Sequence, residues 1–99
     1  MRKLNATAKL THDAKRCYVF AYGVDEMDGK ITISKRILND DDIDYVEALE
    51  NGDIEIVNES QAAKVIDLMG IKVDEEAVCL VDAILQAYAD QGKMPEKVN

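Results

Sequence analysis

One segment, residues 74–91, constrains the fold of this 99-residue chain more than any other. Its polar residues recur at spacings of three and four, so they form a narrow stripe along one side of a helix. The stripe consists of Glu75, Cys79, Asp82, Gln86 and Asp90. All other positions from 77 to 89 are apolar. Because such a helix must be covered over most of its circumference, the rest of the chain is expected to pack around it.

Both ends of this predicted helix carry capping signals. Asp74 is a suitable N-cap because its carboxylate can accept hydrogen bonds from the free N–H groups of the first turn. Gly92 can adopt the left-handed conformation that closes a helix, and Pro95 prevents the helix from resuming. Residues 92–99 are therefore expected to form a loose tail after a single α+β domain of residues 1–91.

Residues 3–38 are predicted to form a three-stranded antiparallel meander. Apolar and polar residues alternate in segment 3–11, which predicts a strand with one solvent-exposed face. Segment 16–24 is rich in aromatic and β-branched residues and predicts a central strand, whose aromatic side chains are expected in the core. Segment 30–38 completes the meander.

The sequence Asp28-Gly29 predicts a two-residue hairpin turn between the second and third strands. This turn would place Val24 opposite Ile33, Tyr22 opposite Lys35 and Phe20 opposite Ile37. The predicted register pairs mostly apolar side chains, which favours it.

Residues 40–51 allow two interpretations. In the first, Asp40 to Asp42 form the cap and first turn of a short helix that ends at Gly52. In the second, Asn51-Gly52 is a hairpin turn between strands 45–50 and 53–57. The helix is favoured because acidic residues in a first turn complement the helix dipole.

A short fourth strand is predicted at 53–57, followed by a helix from Asn58 to Met69. Gln61 lies at the capping-box position, and Gly70 is placed to close the helix. Its buried stripe would consist of Ala62, Val65, Ile66 and Met69. The predicted fold is thus α+β, with a three-stranded antiparallel meander, a short helix, a short fourth strand and two C-terminal helices packed on the sheet.

Charge is distributed unevenly along the chain. Residues 1–36 carry eight Lys/Arg and four Asp/Glu, whereas residues 37–99 carry four and sixteen, for a net charge of −8. The acidic total argues against general affinity for nucleic acid or anionic lipid, and it permits a basic protein partner. The predicted partner-binding residues are Asp40, Asp41, Asp42, Asp44, Glu47 and Glu50.

No motif predicts a metal site, a cofactor site or a catalytic residue. Asp40, Asp42 and Asp44 have EF-hand-like spacing, but Tyr45 and Asn51 occupy the positions where that loop requires glycine and glutamate. His12, the single histidine, is predicted to be an exposed turn residue. Cys79 has acidic neighbours, which disfavour a reactive thiolate. No glycine-rich phosphate loop is present in the sequence.

The leading functional hypothesis is a non-enzymatic protein-binding module, a regulator or inhibitor acting by protein–protein contact. By base rate rather than motif, a concrete version is an anti-defence protein of a phage or mobile element, such as an inhibitor of a CRISPR effector. The alternative is a small-ligand-binding protein or minor enzyme with a pocket between sheet and helices, and a third hypothesis is a structural self-associating subunit. A two-fold homodimer through helix 74–91 is expected. Cytoplasmic localisation is expected, because the sequence contains no long apolar run and no disulfide framework.

Overall fold

The computed structural model describes residues 6–23, 29–39, 43–58, 65–68 and 70–98. In chain order the elements are β1 (Thr7–Asp13), β2 (Cys17–Gly23), β3 (Gly29–Ser34), a 3₁₀ helix (Lys35–Asn39), α1 (Tyr45–Asn51), β4 (Ile54–Asn58), β5 (Val65–Leu68), β6 (Ile71–Asp74), α2 (Glu75–Gln91) and β7 (Lys97–Val98). The fold is α+β. Its main sheet is antiparallel with the order β4-β3-β2-β1-β7, and β5 and β6 form a separate hairpin.

Strands β1 to β3 form the predicted meander, but the β2–β3 register differs from the prediction. Tyr22 pairs with Gly29 rather than Lys35, so Gly29 lies inside β3 and the connection spans residues 24–28, which lie outside the described residues. A Cβ atom on Gly29 would lie 2.3 Å from Cε1 of Tyr22, so this position requires a residue without a side chain. The shift of six residues is even, and each side chain therefore keeps its predicted face.

One face of the main sheet is buried against the helices. Its fully or almost fully buried residues are Ala8, Phe20, Tyr22, Ile31, Ile33 and Ile54. They share one hydrophobic core with the apolar side of α2, which contributes Ala77, Leu80, Val81, Ile84 and Leu85. Four of the five residues of the predicted polar stripe of α2 are exposed, namely Cys79, Asp82, Gln86 and Asp90, and Glu75 is partly exposed.

Helix α1 confirms the first interpretation of the acidic segment, although it begins later than predicted. Asp44 is the N-cap, and its Oδ1 accepts a hydrogen bond from the backbone N–H of Glu47 at 3.2 Å. Gly52 ends the helix with a φ of 85°, a left-handed conformation that suits glycine. The first turn predicted at Asp40 to Asp42 lies outside the described residues.

The helix predicted for residues 58–69 is wrong at the positions that the structure describes, and residues 59–64 and 69 lie outside the described residues. Strand β4 continues to Asn58, and residues 65–68 form β5, which pairs with β6. Gly70 has a positive φ of 94° and lies in the two-residue connection of this hairpin rather than at a helix end. The β-branched residues in both segments favour strands, and this preference outweighs the capping-box spacing at Asn58. Of the two predicted C-terminal helices, the described residues therefore contain one, the helix α2 at Glu75–Gln91.

The segment after α2 is docked on the main sheet, which corrects the predicted loose tail at 92–99. Gly92 closes α2 as predicted, with its N–H donating to the Tyr88 carbonyl at 2.8 Å. Met94 is buried in the core, and β7 pairs with β1. Met94 and Val98 are too few to form a periodic pattern in this short segment, so the sequence did not indicate this contact. Strands β7 and β4 cover the two outer edges of the meander.

Candidate functional site

A hydrogen bond joins α1 to α2 on the helical side of the main sheet. The hydroxyl of Tyr45, the first residue of α1, donates to Oδ1 of Asp82 at 2.8 Å. Burial and this hydrogen bond raise the pKa of Tyr45 to about 12. The phenol therefore remains a neutral donor at physiological pH and fixes the start of α1 against the middle of α2.

Acidic side chains lie on both of the helices that this contact joins. We define the acidic helical surface as Asp44, Glu47 and Glu50 at α1 together with Glu75, Glu76 and Asp82 on α2. Four of the six are exposed and the two first-turn glutamates of α2 are partly exposed. Within the described residues, one basic side chain, Arg36, lies beside this surface, and its Nη2 is 2.6 Å from Oδ2 of Asp53. The surface therefore has a negative potential that a basic partner would neutralise.

Two open grooves flank α1. The first, of about 340 Å³, is lined by Arg36, Ile37, Ile43, Asp44, Glu47, Ala48, Asn51 and Asp53. The second, of about 640 Å³, lies towards α2 and is lined by Tyr45, Glu75, Glu76, Val78, Cys79, Asp82 and Ala83. In the second groove, carboxylates lie beside the partly exposed apolar side chains Val78 and Ala83. This combination suits a long cationic side chain, which needs an apolar contact for its stem and a carboxylate for its end.

The structure describes half of the predicted partner-binding residues. Asp44, Glu47 and Glu50 are exposed, and Asp44 also caps α1. Asp40, Asp41 and Asp42 lie outside the described residues. The role of all six in binding stays a prediction.

Sequence reasoning missed the contribution of α2 to the same surface. The sequence pattern places Glu75 and Asp82 on the polar stripe of a helix and gives no link between this helix and α1. Their grouping with α1 depends on the Tyr45–Asp82 contact, which joins residues 37 positions apart. The available signal was a tyrosine hydroxyl within the acidic segment, since a partly buried phenol usually finds a hydrogen-bond partner.

The residues considered for catalysis are not brought together. His12 is exposed as predicted, but it lies in β1 rather than in a turn, with Nδ1 3.1 Å from Oγ1 of Thr11. Cys79 is exposed and lines the second groove, whereas Cys17 is partly buried in β2. Among the described residues, no three His, Cys, Asp or Glu side chains are grouped so that they could hold a metal ion.

Comparisons with protein-family models, with curated proteins and with solved structures found no significant match for this chain. Neither α-helix in the described part of the chain combines the length and the apolar character that crossing a membrane requires. Function is therefore inferred from the charge and shape of the molecule's own surface.

Proposed function

We propose that this protein is a non-enzymatic binding module that docks its acidic helical surface on a basic surface of another protein. The observation that supports this most is the set of carboxylates on the two helices that the Tyr45–Asp82 contact joins, three of which line a groove with apolar residues. Opposite charges on two partners steer their encounter and exclude wrongly charged competitors. Contacts inside the groove would then slow dissociation.

The hydrogen bond between the helices supports a preorganised surface. Because Tyr45 and Asp82 hold α1 against α2, the carboxylates keep their spacing before the partner arrives. A surface that is already ordered loses less conformational entropy on binding. The partner that fits is a protein segment with exposed Arg or Lys side chains next to small apolar ones.

The biological role that suits this chemistry is regulation or inhibition in the cytoplasm. Proteins that hold nucleic acid present basic channels to the phosphate backbone. An acidic module of 99 residues with a net charge of −8 can compete for such a channel. An anti-defence protein of a phage or mobile element, such as an inhibitor of a CRISPR effector, is the concrete form of this proposal.

The packing between sheet and helices favours the binding module over a small-ligand protein or enzyme. Ile31, Ile33, Leu80 and Ile84 are fully buried there. A crevice between α1, β4 and α2 has a volume of about 10 Å³. Ligand pockets are usually about 300–1,000 Å³. The grooves of about 340 and 640 Å³ beside α1 reach this range, but they are open to solvent rather than enclosed between sheet and helices.

Charge reversal tests the proposal. Glu47→Lys with Glu50→Lys changes the acidic helical surface and leaves the Asp44 cap intact. A matched control, Glu55→Lys with Glu96→Lys, makes the same change in net charge at exposed positions outside that surface. Affinity capture from a host lysate should lose its specific partner with the first variant and keep it with the control. Equal capture by both variants would contradict the proposal.

A further inference from the structure

The face of the main sheet that points away from the helices carries the opposite charge. The strand register places Lys9, Ala21, Lys30 and Val57 in one row across four strands, and Lys97 of β7 pairs with Lys9. The adjacent row contains the buried residues Ala8, Tyr22 and Gly29. Because successive residues of a strand face opposite sides, the lysine row points away from the core. All three lysines are exposed.

We define the lysine face as Lys9, Lys30 and Lys97 together with the less polar residues Val19, Ala21, Thr32 and Val57. Among the described residues, Val57 is the one large hydrophobic residue that is exposed, at 44%. Within the described residues, the three lysines form no ion pair, whereas Lys35 and Arg36 pair with Asp13 and Asp53. One acid of the described strands, Glu55, shares this face.

The chemistry of the lysine face excludes two of its possible occupants. Single-stranded nucleic acid is bound on sheets that present aromatic side chains for base stacking, but Phe20 and Tyr22 are buried on the other face. A two-fold contact between two lysine faces would bring like charges together. An acidic protein surface with small apolar residues fits.

The chain itself carries such a surface on the opposite side of the main sheet. We propose that the lysine face binds the acidic helical surface of a second copy of this chain, head to tail. The lysines would meet carboxylates of α1 and α2, and the exposed part of Val57 would face the apolar groove lining at Val78 and Ala83. This contact requires only the chain's own two surfaces and does not depend on a foreign partner.

Head-to-tail contact has a consequence for the acidic helical surface. Each copy offers one lysine face and one acidic helical surface, so the assembly grows into a chain or closes into a ring. A basic foreign partner would compete with the neighbouring copy for the same carboxylates. The net charge opposes association at long range, but charges beyond about 8 Å are screened at physiological ionic strength, so the local contact decides. The self-association is therefore weak and easily displaced.

Two neutralised variants of the purified protein test this contact. Lys9→Gln with Lys30→Gln removes charge from the lysine face, and Glu47→Gln with Glu50→Gln removes it from the acidic helical surface. The expected mass of the wild-type protein rises with concentration above the single-chain 11.0 kDa in sedimentation equilibrium and falls at high salt. Each variant alone should associate at least about tenfold more weakly.

An equimolar mixture of the two variants separates head-to-tail contact from a two-fold dimer. Each variant keeps one intact surface, so the mixture should form a complex of one copy of each and grow no further. Lys9→Arg with Lys30→Arg keeps the charge and should associate like wild type, while circular dichroism verifies that all variants are folded. A wild-type mass of one chain at every concentration overturns the proposal. So does a mixture that associates no better than either variant alone.

Discussion

The two faces of the main sheet are built from the same strands but present different chemistry. Along β3, Ile31 and Ile33 are fully buried against the helices, whereas Lys30 and Thr32, one residue away, face the other side. The covered face contains aromatic and branched apolar residues, and the open face contains lysines and small residues. Adjacent positions of one strand can therefore differ completely in what a substitution changes, since one side chain stabilises the fold and the next is available for recognition.

The largest expected effect contrasts neighbouring residues of β3. Ile33→Ala removes a fully buried side chain and should lower the free energy of unfolding by about 2–5 kcal/mol. Thr32→Ala, on the open face, should cost less than about 1 kcal/mol, mainly through lower strand preference. Urea unfolding followed by circular dichroism measures both values. Equal losses of unfolding free energy at the two positions would contradict the difference between the two faces.

A second prediction concerns the close contact on the covered face. Gly29→Ala places a methyl group against the ring of Tyr22 and should lower the free energy of unfolding by about 1–3 kcal/mol. In a Tyr22→Leu background the additional loss from Gly29→Ala should become smaller, because the ring is gone. If Gly29→Ala costs the same in both backgrounds, the contact does not explain the glycine. Gly52→Ala is a useful control, since no atom lies within 4 Å there and only its φ of 85° opposes a side chain.

A smaller effect is expected at the contact between the helices. Tyr45→Phe removes the hydrogen bond to Asp82 and should lower the free energy of unfolding by about 1 kcal/mol. The folded-state pKa of about 12 lies above the unfolded value near 10, so the neutral phenol is favoured in the folded protein. This contribution is complete below pH 10 and is lost as the pH rises through 12.

The difference in stability between wild type and Tyr45→Phe should therefore shrink between these two pH values. Thermal unfolding of both proteins across this range measures it, and the other titrating groups are shared by the pair. A difference that stays constant with pH would show that the Tyr45 hydroxyl does not titrate as the geometry indicates.

Alternation in segment 3–11 and the aromatic and β-branched composition of segment 16–24 were sufficient to predict strands of the meander. The register was not predictable, because it depends on the fit of the Tyr22 ring over Gly29. An even register shift changes pairing partners without changing faces. This explains how a wrong register still left Phe20 and Ile33 on the same, buried face.

Residues 58–69 show the limit of local signals. Asn58, Gln61 and Gly70 match helix caps, while Val65 and Ile66 favour strands equally well. Pairing with β6 selects the strand over the helix. Strand β6 is itself anchored, because its Val73 is buried and it contacts α1 and α2. For the candidate site, the acidic segment was evident from charge alone. The contact between this segment and α2 depends on the packing of the two helices, which the sequence alone does not show.

We propose that the acidic helical surface, and not the net charge of the chain, governs recognition of a basic partner. The most direct test of this central claim is the association rate with the captured partner, measured by stopped flow across a range of salt concentrations. Glu47→Gln with Glu50→Gln should slow association about threefold to tenfold and flatten its salt dependence. The matched variant Glu55→Gln with Glu96→Gln, which has the same net charge, should associate at the wild-type rate. Equal slowing by both variants, or a wild-type rate that is independent of salt, would contradict the account.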